Sequence, residues 1–274
     1  MYVKHNESNL KKQIKRGGRM KKSIACTAFF ALIVIAAGVV GVQANPRSKG
    51  DRILRKYEKS FSNFKDQYAR FRMVIHEKSG KKNVEFTLYN RPGWTRLMRF
   101  TDPGDVRGQS ILVMSRQEMY IWLPAYRRVR RIAGHVRNQG FMGSVMTFDD
   151  MAIGQWSGDY DARFLKEDAN HWYIRLTPKK GKNVAFPQLW MKIEKNMRQA
   201  VEIRYLSEKG RLLRTQTMTG WSCEQKDKHC APKRVRMVDH RQGNATTDLI
   251  LLESNFNHGI PDRYFTVRHL QRGG

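Results

Sequence analysis

The sequence predicts a mainly β (α+β) protein built on a single antiparallel sheet that is strongly curved or part-closed. Short runs rich in Val, Ile, Tyr, Trp and Thr follow one another from residue 68 onward, separated by turn residues. Between them lies no long helical pattern of the kind that connects parallel strands. The strands are therefore expected to be joined mostly by hairpins.

The individual strands are placed by these runs and by the turns between them. Turn-forming clusters at 79–82 and 208–210 are typical of hairpins. The predicted strands lie near residues 70–77, 84–89, 96–100, 110–115, 118–123, 127–132, 162–166, 171–177, 188–193, 200–205, 212–221, 233–238 and 246–252.

A helix is predicted before the sheet. Ile53, Tyr57, Phe61 and Phe64 recur at helical spacing, with Lys and Arg between them. Such a helix has one apolar face, which must pack on the sheet.

A second helix is predicted to interrupt the strands. Thr147 can cap it, Asp149 and Asp150 in its first turn suit the helix dipole, and residues 151–153 supply an apolar face. An alternative makes the two aspartates acid/base groups with His135, but helix capping explains them more simply. Without a phosphate loop, dinucleotide fingerprint, zinc-protease helix or nucleophile elbow, the sequence predicts no enzyme, cofactor or metal site.

Residues 1–44 predict export. Lys21 and Lys22 precede an apolar run at 24–42, and Val42-Gln43-Ala44 resembles a signal-peptidase site. The segment is interpreted as an N-terminal extension with a signal peptide or an uncleaved signal anchor, and Met20 is a second candidate start. Either way residues 45–274 form one domain in the periplasm, because the basic cluster stays inside.

The charge indicates anionic surroundings. The chain has a formal net charge of +28, and residues 45–274 hold 44 basic and 23 acidic residues, a net of +21. Nucleic acid is the usual partner of a basic protein, but export argues against it. Lipid headgroups and lipopolysaccharide are the polyanions of an envelope, so a membrane surface is the expected partner.

Cys223 and Cys230 predict a disulfide, since they form an even pair in an oxidising compartment. The bridge closes a loop of about eight residues and stabilises the fold by roughly 2.5 kcal/mol in the chain-entropy model. A metal site with His229 and His240 is the alternative, although the spacing matches no common zinc pattern.

The densest cationic stretch is Tyr126–Arg131. At strand spacing, Arg128 and Arg130 lie on one face, and Arg127 and Arg131 lie with Val129 on the other. One interpretation is a surface or edge strand whose charges block edge pairing. The other is a patch in which Arg127, Arg128, Arg130 and Arg131 bind lipid phosphates.

Several motifs carry a family resemblance. Residues 90–94 read NRPGW, residues 97–103 read LMRFTDP, residues 109–124 read QSILVMSRQEMYIWLP, and residues 259–265 read GIPDRYF. Together they resemble the LolA/LolB-type periplasmic lipoprotein carriers, in particular the outer membrane lipoprotein-sorting (LolA-like) branch. The resemblance implies a curved antiparallel sheet of about eleven strands that forms an incomplete barrel. Helices cover its concave face and act as a lid over an apolar cavity. The resemblance also implies that Arg91, in the Arg-Pro turn, bonds the lid and sets how easily it opens.

The function expected from this resemblance is that of a periplasmic carrier without catalytic activity, for lipoprotein sorting or envelope lipid transport. Its cargo would be acyl chains of a lipoprotein or a phospholipid, and an inner-membrane exporter is a candidate partner. Strand alternation gives five candidate lining residues, which ordinary core packing would explain equally well: Met98, Phe100, Met119, Ile121 and Leu123. The alternative function is a cationic scaffold that assists an exporter or binds lipopolysaccharide.

Overall fold

Antiparallel hairpins build one sheet in the computed structural model, which describes residues 45–93, 95–151, 155–225 and 228–271. Thirteen strands occur in this part of the chain. They are β1 (Gln67–Glu77), β2 (Gly80–Asn90), β3 (Arg96–Asp102), β4 (Ser110–Val113), β5 (Met119–Leu123), β6 (Arg128–Arg131), β7 (Tyr160–Glu167), β8 (His171–Pro178), β9 (Gln188–Glu194), β10 (Ala200–Leu206), β11 (Leu212–Gln225), β12 (Lys228–Asp239) and β13 (Ala245–Phe256).

The sheet is open, as predicted. Its strand order is β6-β5-β4-β3-β2-β1-β13-β12-β11-β10-β9-β8-β7, so β6 and β7 form its two edges and do not pair with each other. The mainly β class and the incomplete barrel are confirmed. The thirteen strands are close to the number of about eleven implied by the resemblance.

A connection between the two edges covers the inner face of the sheet. Since β6 and β7 are consecutive in the chain but lie at opposite edges, residues 132–159 must cross from one to the other. We call the described residues of this connection, 132–151 and 155–159, the covering segment. It contains the four-residue helix α2 (Phe148–Met151), and its Val145 N–H donates to Thr247 Oγ1 at 3.2 Å.

Helix α1 (Pro46–Phe61) packs against the β7 edge. Asn45 caps it by accepting a hydrogen bond from Arg47 N. The helix ends at Phe61, so Phe64, which was predicted to belong to it, lies outside. Asp51 Oδ1 accepts from Ala162 N of β7 at 2.8 Å. The helix thus covers an edge that would otherwise expose backbone donors.

Two apolar clusters fill the space between the inner face and its covers. The first joins α1 to β7–β12 and includes Leu54, Ile174, Leu189, Met191 and Tyr205. The second joins β1–β5 to the covering segment and includes Met73, Phe86, Phe100, Ile111 and Phe141. Alternate residues along the strands therefore point inward, and the helices cover the concave face as predicted.

The outer face has a cover of its own, which the sequence did not predict. A 3-10 turn at Asp262–Phe265 and the helix α3 (Val267–Gln271) pack on β3–β6. A third apolar cluster forms where this segment meets the strands. Leu97 and Leu112 come from the strands, and Ile260, Phe265 and Leu270 come from the C-terminal segment.

The predicted signal segment, residues 1–44, lies outside the described residues, and so do Ala152 and Ile153 of the predicted second helix. Among the helices that are described, none has the length and apolar character needed to cross a bilayer.

Candidate functional site

A cavity of about 260 Å³ lies between the inner face of the sheet, α1 and the covering segment. Most of its wall is apolar, and both apolar clusters contribute to it. The apolar side chains around it are Tyr57, Phe61, Phe64, Phe71, Met73, Phe86, Leu88, Met98, Phe100, Phe141, Met146, Met151, Trp156, Ala200, Ile203, Met218, Trp221, Cys230, Ala231, Pro232, Val235, Met237, Leu249 and Phe256.

Aromatic rings form a continuous wall on one side of the cavity. Along the inner face, Phe71 and Phe86 stack with ring centroids 5.5 Å apart, and Phe86 lies 5.5 Å from Phe100. Phe141 of the covering segment continues the row at 5.2 Å from Phe100. Offset and tilted rings at these distances attract one another, so this wall is more rigid than the methionines facing it.

The cavity reaches the surface where β1, β2, β12 and β13 end or begin. Phe61 remains 41% exposed there, and Phe64, Trp221 and Phe256 are partly buried. The rings of Phe64 and Phe256 lie 5.4 Å apart. We call this end of the cavity the mouth.

Polar side chains concentrate at the mouth. Gln67, Asn90 and Arg96 are direct register partners on β1, β2 and β3, and all three line the cavity. Asn90 Nδ2 donates to Gln67 Oε1 at 3.3 Å, and Arg96 donates to the carbonyl oxygen of Gly93 at 3.2 Å. Burial lowers the pKa of Arg96 to about 10, so its guanidinium is still charged at neutral pH. We call these three residues the mouth row.

The opposite end of the cavity is closed by an ion pair. Arg214 of β11 is fully buried, and its Nη2 lies 2.5 Å from Asp150 Oδ2 of the covering segment. Asp150 also accepts from Thr147 N at 2.7 Å, while Thr147 Oγ1 accepts from Asp150 N. The guanidinium lies 5.0 Å from the ring of Tyr205, whose pKa is raised by burial and then by Asp150. This pair fixes the covering segment to the sheet.

A second group of charges lies beside this pair, outside the main cavity. Arg116 and Asp159 are 2.6 Å apart. Asp149 has its pKa raised by burial, against the opposing effect of Arg137 at 4.0 Å. His135 is exposed on a separate turn. Asp149 faces Arg137 and Asp150 pairs with Arg214, and no hydrogen bond or ion pair among the described residues joins either aspartate to His135.

A family model described as "-like: Uncharacterized protein" matches residues 94–272. The chain belongs to this family. Among the curated proteins, none matches it.

Solved structures share the fold. An outer membrane lipoprotein-sorting protein domain from Vibrio parahaemolyticus aligns with a TM-score of 0.75 at 22% identity, covering 82% of this chain and 100% of that one. A DUF1329 family protein from Desulfovibrio piger aligns with a TM-score of 0.74 at 22% identity, covering 82% and 99%. A LolA superfamily protein from Nitrosomonas europaea gives 0.65 at 17%, covering 80% and 98%. The fold is therefore LolA-like, as the sequence motifs predicted.

Within this LolA-like fold, the five predicted lining residues occupy different places. Met98 and Phe100 lie in the cavity wall. Met119 and Ile121 belong to the neighbouring apolar cluster, with Met119 fully buried. Leu123 is partly buried at the end of β5. Alternation assigned all five to the inner face, but it could not say how far along the sheet the cavity extends.

Arg91 contacts the C-terminal segment on the outer face. Its Nη2 donates to the carbonyl oxygen of Ile260 at 2.8 Å and lies 2.6 Å from Asp262 Oδ1. The guanidinium stands 4.4 Å from the ring centroid of Phe265. Among the described contacts, the arginine that bonds the covering segment at the cavity is Arg214. The latch that the resemblance implied for Arg91 stays a prediction.

The arginine-rich stretch lies at the free edge of the sheet. Arg128, Arg130 and Arg131 are exposed on β6, and none of the described carboxylates lies within ion-pair distance of them or of Arg127. Arg127 has a left-handed backbone (φ 47°) and ends the preceding turn. Its predicted place in the strand beside Val129 and Arg131 is therefore wrong, because the turn Pro124–Tyr126 delays the start of the strand.

Cys223 and Cys230 form the predicted disulfide. They face each other across β11 and β12, and Cys230 lies in the wall of the cavity near the mouth. The alternative metal site is therefore wrong for these cysteines. Within the described part of the chain, no cluster of His, Cys, Asp or Glu is suited to hold a metal ion.

The sequence reading missed the polar residues of the site. Arg214 looks like an ordinary surface residue, since arginines are rarely fully buried. The mouth row escaped notice because its members come from three strands whose register the sequence does not give. A signal did exist for Asp150, in the Thr147–Asp150 capping pattern, but not for its partner on β11.

Proposed function

We propose that the protein is a carrier without catalytic activity that shelters an acyl chain of a lipid or lipoprotein in the cavity. The observation that carries this proposal is an apolar, partly unfilled space that reaches the surface at one end. At about 260 Å³ it lies just below the range of ~300–1,000 Å³ typical of ligand pockets. In this conformation it suits one chain better than several.

The driving force is the removal of hydrocarbon from water. Each buried methylene contributes about 0.8 kcal/mol, so a sixteen-carbon chain gains up to roughly 13 kcal/mol from full burial. Only part of this is retained, because binding also orders the chain. Methionines in the wall, such as Met73, Met98 and Met218, adapt to chains of different shape. No covalent step is needed for this function.

The proposed compartment is the periplasm. The basic and apolar pattern within residues 1–44 supports export. A disulfide between Cys223 and Cys230 is in accord with an oxidising environment. The likeness to a lipoprotein-sorting domain supports a role in lipoprotein sorting or envelope lipid transport, in which an inner-membrane exporter would be a partner.

The test is to purify the protein from cell envelopes, extract it and identify bound lipid by mass spectrometry. A fluorescent acyl probe should bind the emptied protein with increased emission. Leu88→Trp, which places a larger side chain in the cavity wall, should weaken probe binding at least tenfold. Leu212→Trp, at an exposed leucine away from the cavity, is the matched control. An empty protein that excludes the probe would refute the proposal.

A second candidate function is a cationic binding or scaffold protein that holds lipopolysaccharide or assists an exporter. The four arginines around β6 favour it, since they are exposed and lack described acidic partners. Binding by exposed charges falls steeply with salt, whereas binding in an apolar cavity does not. Titrating lipopolysaccharide and the acyl probe at low and high salt separates the two functions. Arg128→Gln combined with Arg130→Gln should affect only the salt-sensitive binding.

A further inference from the structure

We propose that the mouth row, Gln67, Asn90 and Arg96, is a headgroup subsite, so that the ligand is an anionic amphiphile with a carboxylate or phosphate at the mouth and its chain directed inward. This inference rests on the proposed carrier function and adds the charge and orientation of the ligand. It distinguishes an acidic lipid from a neutral acyl group.

Strand register brings the three side chains together. Asn90 pairs directly with Gln67 on one side and with Arg96 on the other. Side chains directly opposite each other on antiparallel strands have Cβ atoms about 4.5–5.5 Å apart. All three point into the cavity, and the apolar side chains of Leu88 and Met98 follow along the same strands. A polar head and an apolar tail are thus accommodated in sequence.

The charge of Arg96 selects an anion. Burial lowers its pKa to about 10, because removal from water disfavours the cation, and it stays protonated at neutral pH. A bound anion in the same apolar surroundings would offset that cost by a charge-assisted hydrogen bond. A planar guanidinium suits both carboxylate and phosphate oxygens.

Two buried polar atoms at the mouth, on Asn90 and Trp221, have no hydrogen-bond partner among the described residues. Asn90 is 7% exposed, and its Oδ1 is buried without a hydrogen-bond partner among the described residues. The indole Nε1 of Trp221, also in the cavity wall, is in the same condition. Unpaired buried polar atoms destabilise a protein, so such atoms mark a place where a ligand can bind. Asn90 Oδ1 can accept from a headgroup hydroxyl, and Trp221 can donate to an acidic oxygen.

The opposite end of the cavity presents a carboxylate to a ligand, which does not favour an anion. Asp150 is the one carboxylate among the described lining residues, and it is engaged by Arg214. Arg214 lies in register with Asp239 and thus near Ala245, at the start of β13. Gln67, by contrast, pairs with Phe256 at the end of β13. The Asp150–Arg214 pair and the mouth row therefore lie at opposite ends of the strands, which orients an anionic ligand with its head at the mouth.

The experiment measures binding of matched twelve-carbon probes to the delipidated protein by displacement of a fluorescent acyl probe. Dodecanoate and dodecyl phosphate carry the acidic head, dodecanol is neutral, and inorganic phosphate has no chain. We expect either acidic probe to bind at least about tenfold more tightly than dodecanol, the factor that one hydrogen bond to a charged group supplies. In Arg96→Gln this ratio should fall to within twofold of unity. Arg163→Gln, at an exposed arginine of β7, should keep it.

Each outcome decides the matter. Equal binding of dodecanoate, dodecyl phosphate and dodecanol to the unaltered protein would overturn the headgroup subsite but leave the carrier function standing. If no twelve-carbon probe binds, the carrier function itself fails. Inorganic phosphate that binds as tightly as dodecyl phosphate would indicate a simple anion site and overturn the inference. The comparison of probes on the unaltered protein decides the question even if Arg96→Gln does not fold.

Discussion

At the scale of single residues, the buried pair of Arg214 and Asp150 holds the covering segment on the sheet. Both side chains are almost fully enclosed, with 1% and 8% of their surface exposed. Pairs of this kind contribute little net stability relative to apolar residues, but loss of one partner leaves an uncompensated buried charge. The pair therefore serves to position the segment rather than to strengthen the core.

We predict that Asp150→Asn destabilises the protein by about 3–5 kcal/mol, because the charge of Arg214 loses its partner. Urea denaturation of the two proteins measures this difference. The double variant Asp150→Leu with Arg214→Met should recover much of the loss, since both charges are then removed. A single variant as stable as the parent would contradict the role of the pair.

At the scale of elements, the contact between α1 and β7 depends on a glycine. A Cβ atom on Gly50 would lie 2.4 Å from the carbonyl oxygen of Ala162, which belongs to the strand backbone and cannot rotate away. The helix reaches the strand closely enough for Asp51 to accept the hydrogen bond from Ala162 N. Gly50 thus allows α1 to cover the edge of the sheet.

Gly50→Ala should destabilise the fold by about 1–3 kcal/mol, the usual cost of overpacking, even though alanine favours helices. Thermal or urea unfolding measures the change. Gly158→Ala is the control, since a Cβ atom there would meet no other atom within 4 Å. A neutral effect at Gly50 would show that the helix docks less closely than described.

The disulfide joins two neighbouring strands at the mouth. Replacing both Cys223 and Cys230 by Ser should lower stability by roughly 2.5 kcal/mol, because the short loop between them is no longer constrained in the unfolded chain. Urea denaturation curves of the oxidised protein and the variant measure this difference in the free energy of unfolding. Treatment with a reductant should shift the parent and leave the variant unchanged; an unaltered parent would contradict the prediction.

At the scale of the whole molecule, stability should decrease in acid. Lys49 and then Lys195 lower the pKa of Glu167 to about 2. For Asp248, burial alone would raise the pKa, but hydrogen bonds from Arg236 and His76 hold it below its ordinary value of 3.8. A depressed carboxyl pKa stabilises the fold above the unfolded pKa, and this stabilisation is lost as pH falls through the folded value.

The urea midpoint should therefore decline as pH falls below about 4. Asp248→Asn provides the check, because the carboxylate contributes less once it becomes protonated. Its destabilisation relative to the parent should be smaller at pH 3 than at pH 7. Equal destabilisation at both values would show that the charge of Asp248 has no part in the acid sensitivity.

The sequence predicted the architecture better than it predicted the site. Short runs of β-branched and aromatic residues between turn residues located all thirteen strands. The sequence did not reveal α3, because the five residues Val267–Gln271 are too few to show helical periodicity. The mouth row and the buried Arg214 depend on which strands are neighbours and in what register, and local patterns do not contain that information.

The covering segment is joined by the chain to both edge strands of the sheet, β6 and β7. A flap attached at one end can swing aside while the surface beneath it stays unchanged, but a segment anchored at two ends cannot. In the proposed carrier, admission of a bulkier ligand must either bow the covering segment outward along its length or let the two margins approach each other. The volume of the cavity and the curvature of the sheet are therefore coupled. Spin labels at Arg130 and Arg163, one on each margin, would report that coupling as a change in their separation when the ligand is added.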